Sequence, residues 1–378
     1  MLVVLDDILA TPGPTPVEAE VLLESARPVL NHVSPEFEEI HAETLDMLRR
    51  LFNSGGVVLI PGSGTAAMEL ALRMAGVRGR RVLVLKTGHF GGYLEEGARL
   101  LGGVVISVEA PLGEGFAGSM LEELLGDGYD VVMFQHVDTS TSVANPLREL
   151  ASTARRMGAI TVVDAVASAG GMMIDVDNWG VDIVFTGSQK ALSTPPGLGI
   201  VAYRSGLEPA GDSSLYFNIP KLLKEMESTR NYYITPAVTL VRSLHASLKR
   251  IHREGMEARA RRHQVLAEAV RAGVEALGLE LVAKEGWRAD TVTAIHLPEG
   301  VEWSRLYVEA RRRGVELAGG LGSLKGRIFR IGHMGEASPG YVAAVLAAVE
   351  RSLARLGYRV KMGSSLAAAQ EVLDAGGL

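Results

Sequence analysis

The sequence predicts an α/β protein built on a mostly parallel sheet. Two observations predict this: short Val/Ile/Leu-rich runs alternate with helix-length segments from about residue 56 to 204, and each run has an apolar centre without polar alternation. A third observation, a change of pattern after about residue 239, adds a smaller α+β unit behind the first. Strands apolar in this way are covered on both faces, as they are where helices flank a parallel sheet. The runs, in order, are VVLI, RVLVL, VVISV, VVMFQ, AITVVD, DIVFTG and GIVAY, so a seven-stranded sheet is expected.

From about 239 to 277 the period turns helical, as one long helix or a bent pair. Two strand-like runs follow, LELVA and TVTAIHL, then a helix around 302 to 313, the strand RIFRIG and a helix around 338 to 356. TPGPTPV at 11 to 17 is punctuated by Pro and Gly and reads as a loop. The expected organisation is an N-terminal segment, 1–20, packing near the site and the smaller domain; a large domain, 21–250; and a small C-terminal α+β domain, 251–378.

With 378 residues and 47% hydrophobic content, the chain can bury sizeable cores. The balance of 38 basic against 44 acidic residues, and the lack of a Lys/Arg stripe interleaved with aromatics, argue against a nucleic-acid partner. No uninterrupted apolar run approaches the ~18 residues of a membrane span. MLVVLDDILA carries Asp6 and Asp7 where a signal peptide needs positive charge, so a soluble, cytoplasmic protein is expected. The sequence has no cysteine, which excludes disulfides, thiolate metal sites and cysteine nucleophiles.

PGSGTAAMEL, residues 61–70, contains G-x-G-x-x-A, a pattern associated with dinucleotide pyrophosphates. A dinucleotide unit also needs an acid at the end of the next strand, ~20 residues on, to bind the ribose. That strand, Val82 to Leu85, ends instead in Lys86 and Thr87, which disfavours a nicotinamide cofactor. What survives is physical: Gly62 and Gly64 permit a tight turn, Ser63 and Thr65 add hydroxyls, and a helix N-terminus attracts an anion. A plain strand-to-helix turn with a Thr cap is the simpler alternative.

The second stretch is VVDAVASAGGMMIDVDNWGVDIVFTGSQKALSTPPGLG, residues 162–199. Asp164 closes one buried strand, and Lys190 follows the next strand after the turn Gly187-Ser188-Gln189, so both belong at the ligand-binding edge of the sheet. A Lys and an Asp placed this way suit pyridoxal 5'-phosphate: the amine bonds the aldehyde and the carboxylate keeps the pyridine nitrogen protonated. Alone, the Asp would read as a helix cap and the Lys as solvated surface.

TGSQKALSTPPGLG closely resembles the lysine motif of class V aminotransferases of the alanine-glyoxylate and serine-pyruvate group, within fold type I of the pyridoxal phosphate enzymes. SPEF at 34 to 37, PGSGTAAMELAL, HVDTSTSV, VVDAVASAGG, YYITPAVTL and AGGLGSLKGRIFRIGHMG extend the resemblance over most of the chain. It implies that Lys190 is the Schiff-base lysine and proton shuttle, and that Asp164 pairs with the pyridinium. Ser63, Gly64 and Thr65 would bind the cofactor phosphate with help from Gln189, and Phe90 would stack on the ring where relatives often carry Trp. Thr139 would lie near the phenolic oxygen; relatives often have Gly where Ser142 stands. Tyr232 and Thr235 match positions that reach the phosphate of a neighbouring subunit, implying a homodimer with shared active sites. Arg330 would bind the substrate carboxylate through its planar fork.

The implied activity is ping-pong transamination between a small amino acid, alanine or serine, and a 2-oxo acid, glyoxylate or pyruvate. Without a second assignable Arg, aspartate or glutamate ranks lower as donor. Cysteine desulfurases share the fold type but need a cysteine thiol, which is absent. Phosphonate aminotransferases and kynureninase-like hydrolases stay open within the class. A nicotinamide-dependent dehydrogenase and a non-catalytic scaffold are the alternatives outside it. His89 and His136 lack metal-ligand spacing, so no metal is expected. Met172, Met173 and Trp179 read as core packing, and the charged face of the 250–262 helix as solvated surface.

Overall fold

The structure, a computed structural model, describes residues 8–210 and 213–378. Residues 1–7, with Asp6, Asp7 and the start of the N-terminal segment, lie outside the described residues.

All seven apolar runs form strands of one sheet: β1 (Gly56–Pro61), β2 (Arg81–Lys86), β3 (Val104–Glu109), β4 (Val131–Gln135), β5 (Ile160–Asp164), β6 (Ile183–Gly187) and β7 (Leu198–Tyr203). Their spatial order is β1-β7-β6-β5-β4-β2-β3, and only β7 runs against its neighbours. Side chains alternate between two buried layers. Leu83, Leu85, Val132, Phe134, Val163 and Val184 join one core, while Val82, Val84, Val131, Met133, Val162 and Ile183 join the other. Each such side chain contributes about 1.5–3 kcal/mol on leaving water, which is why strands this short need no polar face.

Helices cover both layers. In α1 (Pro35–Phe52) the SPEF motif is a helix start: Ser34 accepts from the Phe37 N–H, Pro35 opens the helix, and Glu36 and Glu38 face its positive end. α2 (Gly64–Met74) follows β1, and α3 (His89–Leu100) follows β2.

The helical run after 239 is a bent pair, α4 (Val238–Glu254) and α5 (Met256–Glu275), broken at Gly255, whose φ of 82° only glycine adopts readily. α4 packs into the core of the large sheet, whereas α5 belongs to a second core with α6 (Pro339–Arg355) and α7 (Ser364–Gly376). The small sheet holds β8 (Val292–His296), β9 (Ala318–Gly319) and β10 (Ile328–Gly332) in the order β8-β10-β9.

LELVA is not a strand. It touches β8 only through a bridge at Leu281, and the chain then turns away so that the Lys284 N–H bonds the Gly113 carbonyl at 2.9 Å. The 250–262 face is a solvated surface only in part: Arg253, Glu257 and Arg261 are exposed. Arg259 is buried and Arg262 half-buried, because the first turns of α5 lie against both domains. Trp179 packs on the main core and Met172 on a small cluster around Ala167 and Ala191, as sequence reasoning placed them; all three of Met172, Met173 and Trp179 also line an open cleft, and Met173 joins neither core.

The segment beginning at Ile8 links the two units. Ile8–Leu9 pairs with Val315–Glu316, the Gly332 N–H donates to the Ala10 carbonyl at 2.8 Å, and the Thr15 N–H donates to the Gln189 carbonyl at 3.2 Å.

Candidate active site

The C-terminal ends of β1, β2, β4, β5 and β6 meet at one edge of the sheet, where open α/β folds bind ligands. A cavity of about 220 Å³ there is lined by Ser63, Gly64, Thr65, Phe90, Thr139, Asp164, Gln189 and Lys190. Eight residues singled out across 128 positions of chain are thus brought to one place.

The glycine turn leaves β1 and caps α2 at Ser63, whose side chain makes no capping bond. The helix starts two residues earlier than a Thr65 cap would put it. Among the described residues neither the Ser63 nor the Thr65 hydroxyl is hydrogen-bonded, so both stay available at the positive end of α2. Gly187, at the end of β6, keeps this floor open: a Cβ there would lie 2.8 Å from Gln189 Oε1 and 3.3 Å from the Gly64 nitrogen. Gln189 Oε1 is buried without a partner.

Asp164 Oδ1 accepts the Val166 N–H at 2.8 Å. Burial pushes its carboxyl up to about 7, with the neighbouring charge of Asp138 adding to the rise. A carboxyl held this way is largely protonated below about pH 7 unless a positive N–H lies beside it. Burial also brings Lys190 down to about 8, helped by the nearby Arg330 charge. Its Nζ donates to the Pro12 carbonyl at 2.6 Å, and the Thr15 hydroxyl donates to the Lys190 carbonyl at 2.8 Å.

Arg330 stands on β10 just outside the residues that line the cavity. Its Nε donates to the Gly319 carbonyl at 2.9 Å, and Nη1 donates to the Thr139 hydroxyl at 3.0 Å and the Thr139 carbonyl at 3.2 Å. Among the described residues Nη2 has no partner. Tyr232 and Thr235 do not join the cavity; Tyr232 is 38% exposed and meets the His32 ring edge-on.

Sequence reasoning missed Asp138. It is buried, accepts from the Phe90 N–H at 3.0 Å and from the Ser140 N–H at 2.9 Å, and so ties the HVDTSTSV loop to the start of α3. An Asp followed by hydroxyl residues is the signal of such a turn. Tyr93 was also missed, although it lies one helical turn after Phe90 with ring centroids 5.5 Å apart. Ser142 has φ 57°, the left-handed conformation glycine favours, and offsets that cost by bonding through its hydroxyl to the Thr141 carbonyl at 2.6 Å and the Ala294 N–H at 3.1 Å.

A family model described as aminotransferase class-V matches residues 23–332. An L-aspartate–glyoxylate aminotransferase of Paracoccus denitrificans is 34% identical over 375 residues, spanning 95% of this chain and 94% of the relative. A serine–glyoxylate aminotransferase of Methylorubrum extorquens is 33% identical over 384 residues, spanning 97% and 95% respectively. Among solved structures, the ureidoglycine–glyoxylate aminotransferase of Bacillus subtilis has a TM-score of 0.91 at 30% identity, covering 97% of this chain and 98% of that one.

Proposed function

The chain belongs to the class-V aminotransferases, and from that membership we propose that it moves the amino group of alanine or serine to glyoxylate or pyruvate in two alternating half-reactions. The observation that carries the reading is the cavity itself, which gathers an amine, a carboxyl, unspent phosphate donors and an aromatic face.

Pyridoxal 5'-phosphate is the cofactor of this family, and the residues present fit it. The unbonded hydroxyls of Ser63 and Thr65, with the amide edge at Gly64, would hold the phosphate; the Gln189 side chain stands beside them, its Nε2 the end that could donate and its buried Oε1 an acceptor without a partner. Phe90 offers a ring face, and Asp164 an acid that needs a positive N–H. When bound, the cofactor supplies an aldehyde for amines and a conjugated pyridine ring that accepts the electron pair left on breaking Cα–H.

Lys190 would hold the aldehyde carbon until the incoming amine displaces it. Its Nζ, lowered to about 8 in this chain, would be the base for the substrate Cα proton and the donor that returns a proton. Asp164 would pair with the protonated ring nitrogen and so be held ionised. Arg330, fixed by Gly319 and Thr139, turns its remaining nitrogen to the substrate carboxylate.

Support for a small neutral donor is that Arg330 is the one arginine assigned to a substrate carboxylate, with no second assigned to a distal one, and that Lys190 is the sole cation among the described residues that line the cavity. The 34% identical aspartate–glyoxylate relative favours a second reading with aspartate as donor. Glyoxylate recurs as acceptor across donors as different as aspartate, serine and ureidoglycine. Tyr232 and Thr235, exposed on the single chain, are proposed to complete the phosphate site of a neighbouring subunit in a homodimer.

The test is the visible spectrum of the purified protein and its response to donors. The reading expects a yellow band that borohydride bleaches and Lys190→Ala abolishes, with alanine or serine converting it. A protein that stays colourless with added cofactor overturns it, and conversion by aspartate alone selects the second reading.

A further inference from the structure

The first turn of α5 carries a guanidinium placed where no surface arginine belongs. Arg259 is 1% exposed. Its Nε donates to the Gly170 carbonyl at 2.7 Å and its Nη2 to the Ala191 carbonyl at 3.0 Å. Nη1 donates to Glu254 at 2.7 Å, and Nη1 and Nη2 reach Glu336 at 3.4 and 3.3 Å.

The partners matter more than the burial. Gly170 lies on the loop that leaves Asp164, and Ala191 directly follows Lys190. Glu336 lies on the loop after β10, the strand of Arg330, and is held a second time by Arg250 at 3.0 Å. One planar cation therefore joins the backbone of the carboxyl loop, the lysine loop and the loop beyond the carboxylate-binding strand. The rigid fork of Arg can span them; the compact ammonium of Lys cannot satisfy both carbonyls and both acids at once.

Resting on the aminotransferase reading above, we propose that Arg259 is a positioning residue for proton transfer by Lys190. It acts through the Ala191 carbonyl, holding the Lys190 backbone at a set offset from Asp164 and coupling that offset to the small domain through Glu336. Displacing a reacting group by about 1 Å costs about 100-fold in rate, so a loosened clamp shows in the chemical step before it shows in binding.

The experiment compares the cofactor-loaded wild type with Arg259→Lys and Arg262→Lys. Arg262 shares the helix and the partner Glu254, and bonds the Gly335 and Ala337 carbonyls, but touches neither the Asp164 loop nor the lysine loop. In Arg259→Lys the donor half-reaction slows by about 10- to 100-fold with donor KM little changed. The isotope effect from a Cα-deuterated donor rises, the pH midpoint of the visible band moves, and hydrogen exchange of amides 188–194 quickens. Arg262→Lys keeps the wild-type isotope effect and band midpoint. Wild-type values of both in Arg259→Lys, or the same changes in the two variants, overturn the proposal. Should Arg259→Lys not fold, Glu336→Gln neutralises the acid that couples this guanidinium to the small domain while its bonds to Gly170, Ala191 and Glu254 remain: a raised isotope effect supports the proposal, an unchanged isotope effect and midpoint overturn it. A wild type with neither visible band nor amine exchange defeats the aminotransferase reading itself, which keeps the two failures apart.

Discussion

Asp164→Asn separates the cost of the site from its use. In the cofactor-free chain, burial pushes the Asp164 carboxyl from 3.8 up to about 7. The protonated form is therefore the one the fold favours. Stability associated with Asp164 is intact below pH ~4, erodes as pH rises, and is lost once pH passes about 7. The interval from 3.8 to about 7 corresponds to about 4 kcal/mol. Asparagine keeps an oxygen for the Val166 N–H, bonded at 2.8 Å in the native chain, and carries no charge to bury. The cofactor-free variant is expected to match the wild type near pH 4 and exceed it by up to about 4 kcal/mol near pH 8. Denaturant unfolding of both proteins across that range reads the difference, and single-turnover donor kinetics on the loaded proteins should move the other way, with the variant slower. A stability gap that stays flat with pH, or that favours aspartate at pH 8, refutes the argument from burial.

Three further outcomes follow from the same geometry. Cofactor capture by the empty protein requires the neutral Lys190 amine, so its second-order rate should climb with pH and level off above about 8, where an ordinary lysine would keep climbing toward 10.5. Stopped-flow growth of the visible band measures it. Ser63→Ala and Thr65→Val each remove a hydroxyl that bonds nothing in the chain; the empty fold should melt unchanged, while cofactor Kd weakens by about 10- to 100-fold, the equivalent of about 1.5–3 kcal/mol for a bond to a charged group. Ser142→Gly relieves about 1 kcal/mol of left-handed backbone but orphans the buried Ala294 N–H at about 1–3 kcal/mol, so a lower melting temperature is expected and a higher one would show the strain to be the larger effect.

The large sheet was legible because the middles of its strands are apolar on both faces, as a helix-flanked sheet requires; the edge strand β3 departs from this, leaving Val104 and Ile106 exposed. The same property hid the reversed direction of β7, since a strand buried on both faces looks identical read either way. LELVA has strand composition but lacks a partner beyond Leu281, and pairing is a property of the neighbour rather than of the run. Lys190 and Asp164 could be read because the ends of parallel strands share one edge. Arg259 could not: an arginine facing water and one facing a second domain have the same helical spacing. Asp138 was overlooked beside the more conspicuous Thr139, although the Asp is what orients the loop.

The segment around Pro12 has a consequence for how the protein is made. Its carbonyl holds the Lys190 ammonium, yet the segment is itself held by Val315–Glu316 and by Gly332. On the ribosome, the large sheet can condense while those later residues are still unsynthesised, and the early segment then has no strand to join. The reactive amine is consequently finished last, after the small domain folds. A nascent chain stalled before residue 315 would display a formed phosphate turn beside a lysine whose Pro12 partner is tied down only through Thr15.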